Sequence, residues 1–292
     1  IMFDQFITSG ERKWLRMSGL VMLLPASEAV VALVNRLISE SVPPVHLPRL
    51  LLAGGIPPQA QVLVVIPALL SHRASIDALL QRLQLHHLAN PETHAQFALL
   101  SDWTDADSEL HHDDAALLAH AADGLRALNQ RHPVGPGQPL RFLLLHRARS
   151  FSVTQGRWLG WERKRGKLQQ LVDALAMGQP GPFFDLAELS RTAPHTRYIL
   201  TLDSDTQLPP GRLRALVGVA EHPQNRPVLD ASGRRVQRGY GILQPRLSPP
   251  LPTAGVQTPW QWLFAGQRGI DPYSAMSSDA YQDLFDEGSF TG

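Results

Sequence analysis

Cysteine is absent from all 292 residues. Disulfides, thiolate nucleophiles and cysteine-ligated metals are excluded together, which leaves carboxylates and histidines as the metal ligands to look for. A dominant charge is missing too. Lys plus Arg total 27 against 26 Asp plus Glu, so the formal charge of +1 exerts no global pull toward nucleic acid or an acidic membrane. Nor is there an internal repeat with a period of roughly 20–50 residues, or a low-complexity tract, which sets aside solenoids and propellers. What the chain does have is a 43% hydrophobic content, enough for a sizeable core.

No charged n-region and small-residue cleavage site flank a hydrophobic stretch, so no signal peptide is visible. The chain starts at Ile1 and stops at Ser289-Phe290-Thr291-Gly292 without a polar tail, which reads as a piece of something longer. Met17 to Ile38 is apolar over about a bilayer-spanning length, interrupted by Pro25, Ser27, Glu28 and Asn35. Charges near a span centre cost about 2.5–3.5 kcal/mol on insertion scales, which favours a buried or interfacial helix.

Val42 to Pro58 carries Pro43, Pro44, Pro48, Pro57 and Pro58 and reads as a linker, so the expected division is 1–58 and 59–292. Four short apolar runs follow it: Gln61 to Pro67, Phe97 to Leu100, Arg141 to Leu145 and Tyr198 to Leu202. Runs of this kind fill parallel strands covered on both faces. Helical spacing lies between them, most clearly over Ala74 to Leu85 and Asp113 to Gln130. Strands alternating with helices predict an α/β fold with a mainly parallel sheet and flanking helices, and sites at the carboxyl ends of the strands.

The sharpest signal at such an end is Asp203-Ser204-Asp205, which follows Tyr198 to Leu202. Two carboxylates one residue apart can share a Mg²⁺ or Mn²⁺ ion that keeps open positions for phosphate oxygens. A solvated turn has the same look. Asp102 ends the second run, with Asp105 and Asp107 following; a helix cap by Asp102 or Asp105 is the plainer reading, and a hydrogen bond from Asp102 to a base or ribose is the functional one. Arg157 to Lys167 packs five cations and two tryptophans beside a predicted helix start at Leu168, which suits a diphosphate corner better than a nucleic-acid face. Gly239 to Arg246 predicts a strand with Gln244 and Arg246 on one side. Tyr281, Gln282, Asp283, Glu287, Gly288 and Ser289 combine rings, acids and hydroxyls as a sugar-binding loop needs, although an acidic surface loop does the same.

In their order, Ser101-Asp-Trp103, Trp158-Leu-Gly-Trp-Glu-Arg-Lys-Arg-Gly-Lys-Leu168, Leu202-Asp-Ser-Asp-Thr-Gln-Leu-Pro209, His222-Pro-Gln-Asn-Arg-Pro227, Gly239-Tyr-Gly-Ile-Leu-Gln-Pro-Arg246, Asp271-Pro-Tyr273 and Tyr281-Gln-Asp-Leu-Phe285 resemble the cyclic β-1,2-glucan synthases. The resemblance covers residues 20 to 292. It implies a nucleotide-sugar glycosyltransferase (GT-A-like) fold, truncated at its C-terminal end, from a large enzyme on the cytoplasmic face of the bacterial inner membrane. It also implies UDP-glucose as donor and a β-1,2-glucan acceptor, with no nucleic acid, and it favours membrane contact through Met17 to Ile38. By the same likeness Asp102 contacts uridine, Lys167 lies near the nucleotide, Asp203 and Asp205 form the metal–diphosphate pair, and the Gly288 loop lies near the sugar. Asp286 stands where the family has glycine, and the family's catalytic base is expected beyond Gly292. The expected function is an inverting glucosyl transfer, and the alternative is a non-catalytic module that binds nucleotide sugar or glucan.

Overall fold

A computed structural model describes residues 14, 16–27, 30, 31, 34 and 46–245. Residues 16–27 are helical and exposed, and among the described residues no helix is long and apolar enough to cross a membrane. The rest of Met17 to Ile38 lies largely outside the described residues. So do Arg246, Tyr281, Gln282, Asp283, Glu287, Gly288 and Ser289.

Residues Pro48–Gly241 form one compact unit. Its centre is a sheet of β1 (Val62–Leu70), β2 (Ala95–Trp103), β3 (Phe142–Arg147) and β6 (Tyr198–Thr201), in the order β3-β2-β1-β6. All neighbours run parallel. Between β3 and β6 in the chain, β4 (Ser150–Ser152) and β5 (Arg157–Leu159) form a separate antiparallel pair. Every side chain of β2 and β3 is buried, which is why these segments read as continuous apolar runs rather than alternating ones.

On one face Val62, Val64, Ile66, Phe97 and Leu99 pack with α1 (Arg73–Ala89) and α2 (Asp114–Arg131). On the other, Leu63, Val65, Ala98 and Leu100 pack with Leu171 of α3 (Arg163–Met177). Each fully buried Leu, Val, Ile or Phe contributes about 1.5–3 kcal/mol, so the two layers together hold the sheet. The fold is thus the α/β, GT-A-like arrangement that the alternating pattern predicts. A further helix, α4 (Arg212–Glu221), follows β6.

The predicted strand at Gly239 to Arg246 does not form over its described residues. The hairpin strand is β8 (Val236–Arg238), paired with β7 (Val228–Leu229), and it stops at Gly239. Gly239 has φ 75°, and a Cβ there would lie 2.0 Å from the Arg226 carbonyl oxygen. The chain has to turn at that point, so Gln244 falls in exposed, irregular backbone rather than on a strand face.

Candidate functional site

The connection from β1 runs to β2 on one side, and the chain later crosses from β3 to β6 on the other side of β1, which opens a crevice at the carboxyl ends of the strands. A cavity of about 560 Å³ lies there. Its floor is Pro67 and Ala68 of β1 with Asp102 and Trp103 of β2, and one wall is the start of α1 through Ser75, Leu79 and Arg82. The facing wall is Gly160, Arg163, Lys164 and Lys167 at the start of α3, and Ser204 closes the β6 side. Its size suits a nucleotide-sized ligand.

α1 begins directly after β1. His72 Nδ1 accepts from the Ser75 amide at 3.1 Å, and the Ser75 hydroxyl accepts from the His72 amide in return. The exchange satisfies two otherwise orphaned donors at the helix start beside the cleft.

Asp102 lines the cavity but is only 1% exposed, and its carboxylate is already engaged. Arg147 of β3, its register partner, grips it through Nε and Nη2, and Lys167 Nζ lies 3.0 Å from Oδ2. Lys167 also donates to the Ala68 carbonyl at 2.7 Å. Burial pushes the Lys167 ammonium below its ordinary pKa, and the neighbouring Asp102 carboxylate opposes that shift. The two residues assigned to the nucleotide therefore meet at the cavity, bound to each other.

Sequence reasoning passed over Arg147. Its guanidinium reaches Gln170 Oε1 at 2.6 Å, the Trp161 carbonyl at 2.7 Å and the Arg163 carbonyl at 2.9 Å. Those carbonyls belong to an unusual turn, in which Glu162 and Arg163 both have positive φ, 50° and 47°. A left-handed conformation in two successive non-glycine residues costs energy and persists only where the surroundings hold it. Arg147 is the clamp. Two glycines complete it: a Cβ at Gly160 would stand 2.6 Å from Asp102 Oδ2, and one at Gly166 would stand 2.1 Å from the Trp161 carbonyl. A charged residue at the end of a buried run was the available signal for Arg147, the same one that marked Asp102.

Each of the five cations in the basic stretch faces a carboxylate. Arg157 pairs with Asp107 at 3.1 Å, Arg163 with Asp105 at 2.6 Å, Lys164 with Asp203 at 2.6 Å, Arg165 with Glu162 at 3.3 Å, and Lys167 with Asp102. A cluster neutralised in this way is a poor polyanion face. Asp105 and Asp107 thereby tie the loop after β2 to the α3 side, helped by reciprocal backbone hydrogen bonds between Ala106 and Trp158 at 2.9 Å.

Asp203 and Asp205 sit in an exposed turn just past β6, closed by the Thr206 amide on the Asp203 carbonyl at 3.0 Å. Asp203 is held by Lys164, whereas Asp205 has no hydrogen bond or ion pair among the described residues. Hard oxygens on an open turn at the cavity rim form a donor set that fits Mg²⁺ or Mn²⁺ with positions left over for a ligand. Ser101 and His146 form another polar pair, 2.8 Å apart, but both are fully buried and neither lines the cavity.

The fold and its crevice define a GT-A-like α/β domain. No family model matches the chain. Over 273 residues, 94% of its length, it is 41% identical to the cyclic β-(1,2)-glucan synthase NdvB of Rhizobium meliloti (strain 1021). The chain is thus a relative of the cyclic β-(1,2)-glucan synthases, and it spans about a tenth (10%) of the length of that protein. A stretch of 25 residues is also 84% identical to the 2-oxoglutarate dehydrogenase E1 components of Brucella anthropi and Brucella ovis. It covers 9% of this chain and 2% of those proteins, too little to be a domain.

Proposed function

We propose that this segment is a glucosyltransferase domain that moves glucose from UDP-glucose to a growing β-1,2-glucan with inversion, as part of a larger protein at the cytoplasmic face of the inner membrane. The observation that carries the reading is the pair of exposed carboxylates, Asp203 and Asp205, at the end of β6 on the rim of the switch-point cavity. The likeness to a cyclic glucan synthase over 94% of the chain supports it.

In this reading Asp203 and Asp205 hold Mg²⁺ or Mn²⁺, which when bound neutralises charge on the departing diphosphate. Lys164 and Arg163, in the first turn of α3, face the same diphosphate. In the Asp102–Arg147–Lys167 triad, Asp102 on the cavity floor and Lys167 on the facing wall are the groups that meet the nucleoside, while Arg147, behind them, fixes the Asp102 carboxylate. The acceptor O2 attacks the anomeric carbon from the side opposite the diphosphate, so the new bond is β. No described residue is assigned as the base that takes the proton.

The test is calorimetric titration of UDP into the protein with Mn²⁺ and with a chelator. UDP binding should need the cation, and Asp205→Asn should weaken it at least about ten-fold, as expected for loss of a charged ligand. Equal affinity in the variant and its parent would remove Asp205 from the site.

A further inference from the structure

We propose that Lys164 makes uptake of the divalent cation and of the nucleotide diphosphate interdependent, by holding Asp203 until a diphosphate takes over its ammonium. The inference rests on the function proposed above and deepens it.

The two carboxylates of the turn are not equivalent. Asp203 Oδ1 is 2.6 Å from Lys164 Nζ, whereas Asp205 has no partner among the described residues. A cation arriving alone therefore finds one free carboxylate and one already neutralised, with a positive charge beside it. The bond is breakable. Its side chains are 43% and 53% exposed, and exposed ion pairs of this kind are weak.

Lys164 differs from its neighbours in where it reaches. Arg165 pairs with Glu162, three residues away, and Arg163 with Asp105 in the loop after β2, while Lys164 alone crosses to the turn after β6. The first turn of α3 carries no acidic residue, and the helix dipole disfavours cations there. That arrangement does not favour the helix; it suits an anion. A diphosphate entering the cavity offers Lys164 a new acceptor and releases Asp203, so both carboxylates then face the cation. The cost of breaking the Lys164–Asp203 pair is met once and shared by both ligands, which makes their binding positively and reciprocally coupled.

The experiment compares the parent with Lys164→Met and Lys164→Arg, measuring Mn²⁺ binding alone and then UDP binding at saturating Mn²⁺. Lys164→Met should bind Mn²⁺ alone about two- to five-fold more tightly, since the competitor is gone. It should bind UDP in Mn²⁺ about ten-fold more weakly, since a charged donor is gone. Lys164→Arg should stay close to the parent in both. A melting curve close to the parent's shows that the variant is folded, as the half-exposed position leads us to expect. Weaker UDP binding with unchanged Mn²⁺ affinity would make Lys164 a simple anion contact and overturn the exchange. A parent that binds neither Mn²⁺ nor UDP would instead overturn the underlying reading of the site, and the exchange with it.

Discussion

Replacing Arg147 by Met should destabilise the protein far more than replacing an exposed cation of the basic stretch. The guanidinium is buried and donates to both Asp102 oxygens, to Gln170 and to two backbone carbonyls of the strained turn. Removing one partner of a buried ion pair costs about 3–5 kcal/mol, because a charge is left uncompensated. Lys167 remains beside Asp102 and holds the loss within that range. For a unit of this size each kcal/mol lowers Tm by about 2–4 °C, so the melting temperature should fall by about 6–20 °C. Arg165→Met is the control. That side chain is exposed, pairs with Glu162 at 3.3 Å and lies 5.8 Å from the Trp161 ring, so its loss should cost no more than about 1 kcal/mol. Thermal unfolding followed by circular dichroism at low and high salt decides the matter, because a buried pair is little screened. Replacing Asp102 by Leu together with Arg147 should not restore stability, since Lys167 would be left buried with only the Ala68 carbonyl. An Arg147→Met protein that melts within about 2 °C of the parent, or no lower than Arg165→Met, would refute the clamp.

Gly160→Ala should cost about 1–3 kcal/mol for a single added methyl, because its Cβ meets the Asp102 carboxylate at 2.6 Å and Arg147 Nη2 at 3.1 Å; a stability equal to the parent's in urea unfolding would show that the triad can give way. Acid should destabilise the fold through His87 and His146. Burial holds both imidazoles at a pKa of about 4 in the folded protein, against 6.5 ordinarily; at His87 Arg141 and His132 add to the effect, and at His146 Asp102 opposes it. His87 Nδ1 and His146 Nε2 have no hydrogen-bond partner to soften that burial. Between those pH values the unfolded chain binds more protons, so stability is fully present above pH 6.5 and falls toward pH 4. The slope is up to about 1.4 kcal/mol per pH unit for each histidine. Urea midpoints measured at pH 7.5, 5.5 and 4.5 should shift accordingly, and less in His146→Gln; a flat profile across that window would contradict the assignment.

Strand positions were legible in the sequence, because strands covered on both faces carry apolar runs, as β1, β2 and β3 do, and the partly buried β6 carries a shorter one. Gln61 to Pro67, Phe97 to Leu100, Arg141 to Leu145 and Tyr198 to Leu202 each fall on or within a residue of β1, β2, β3 and β6. The placing of Asp102, Asp203 and Asp205 at carboxyl ends follows from the same runs. What these carboxylates touch did not follow. Asp102 meets Arg147 only because β2 and β3 pair in parallel at one register, 45 residues apart in the chain, and meets Lys167 only because α3 packs on that face. The strand order that opens the crevice beside β1 is equally a matter of long-range packing. Glycines show the same division. Gly160 and Gly166 stand in the sequence without any mark of their purpose, and Gly239 lies in what looks like a strand. Only the folded backbone brings a carboxylate or a carbonyl to within 2.0–2.6 Å of where their side chains would be, and so penalises any larger residue. Local pattern decides which segments are buried; which charge compensates which, and where the chain must turn, is decided by neighbours that the sequence holds far apart.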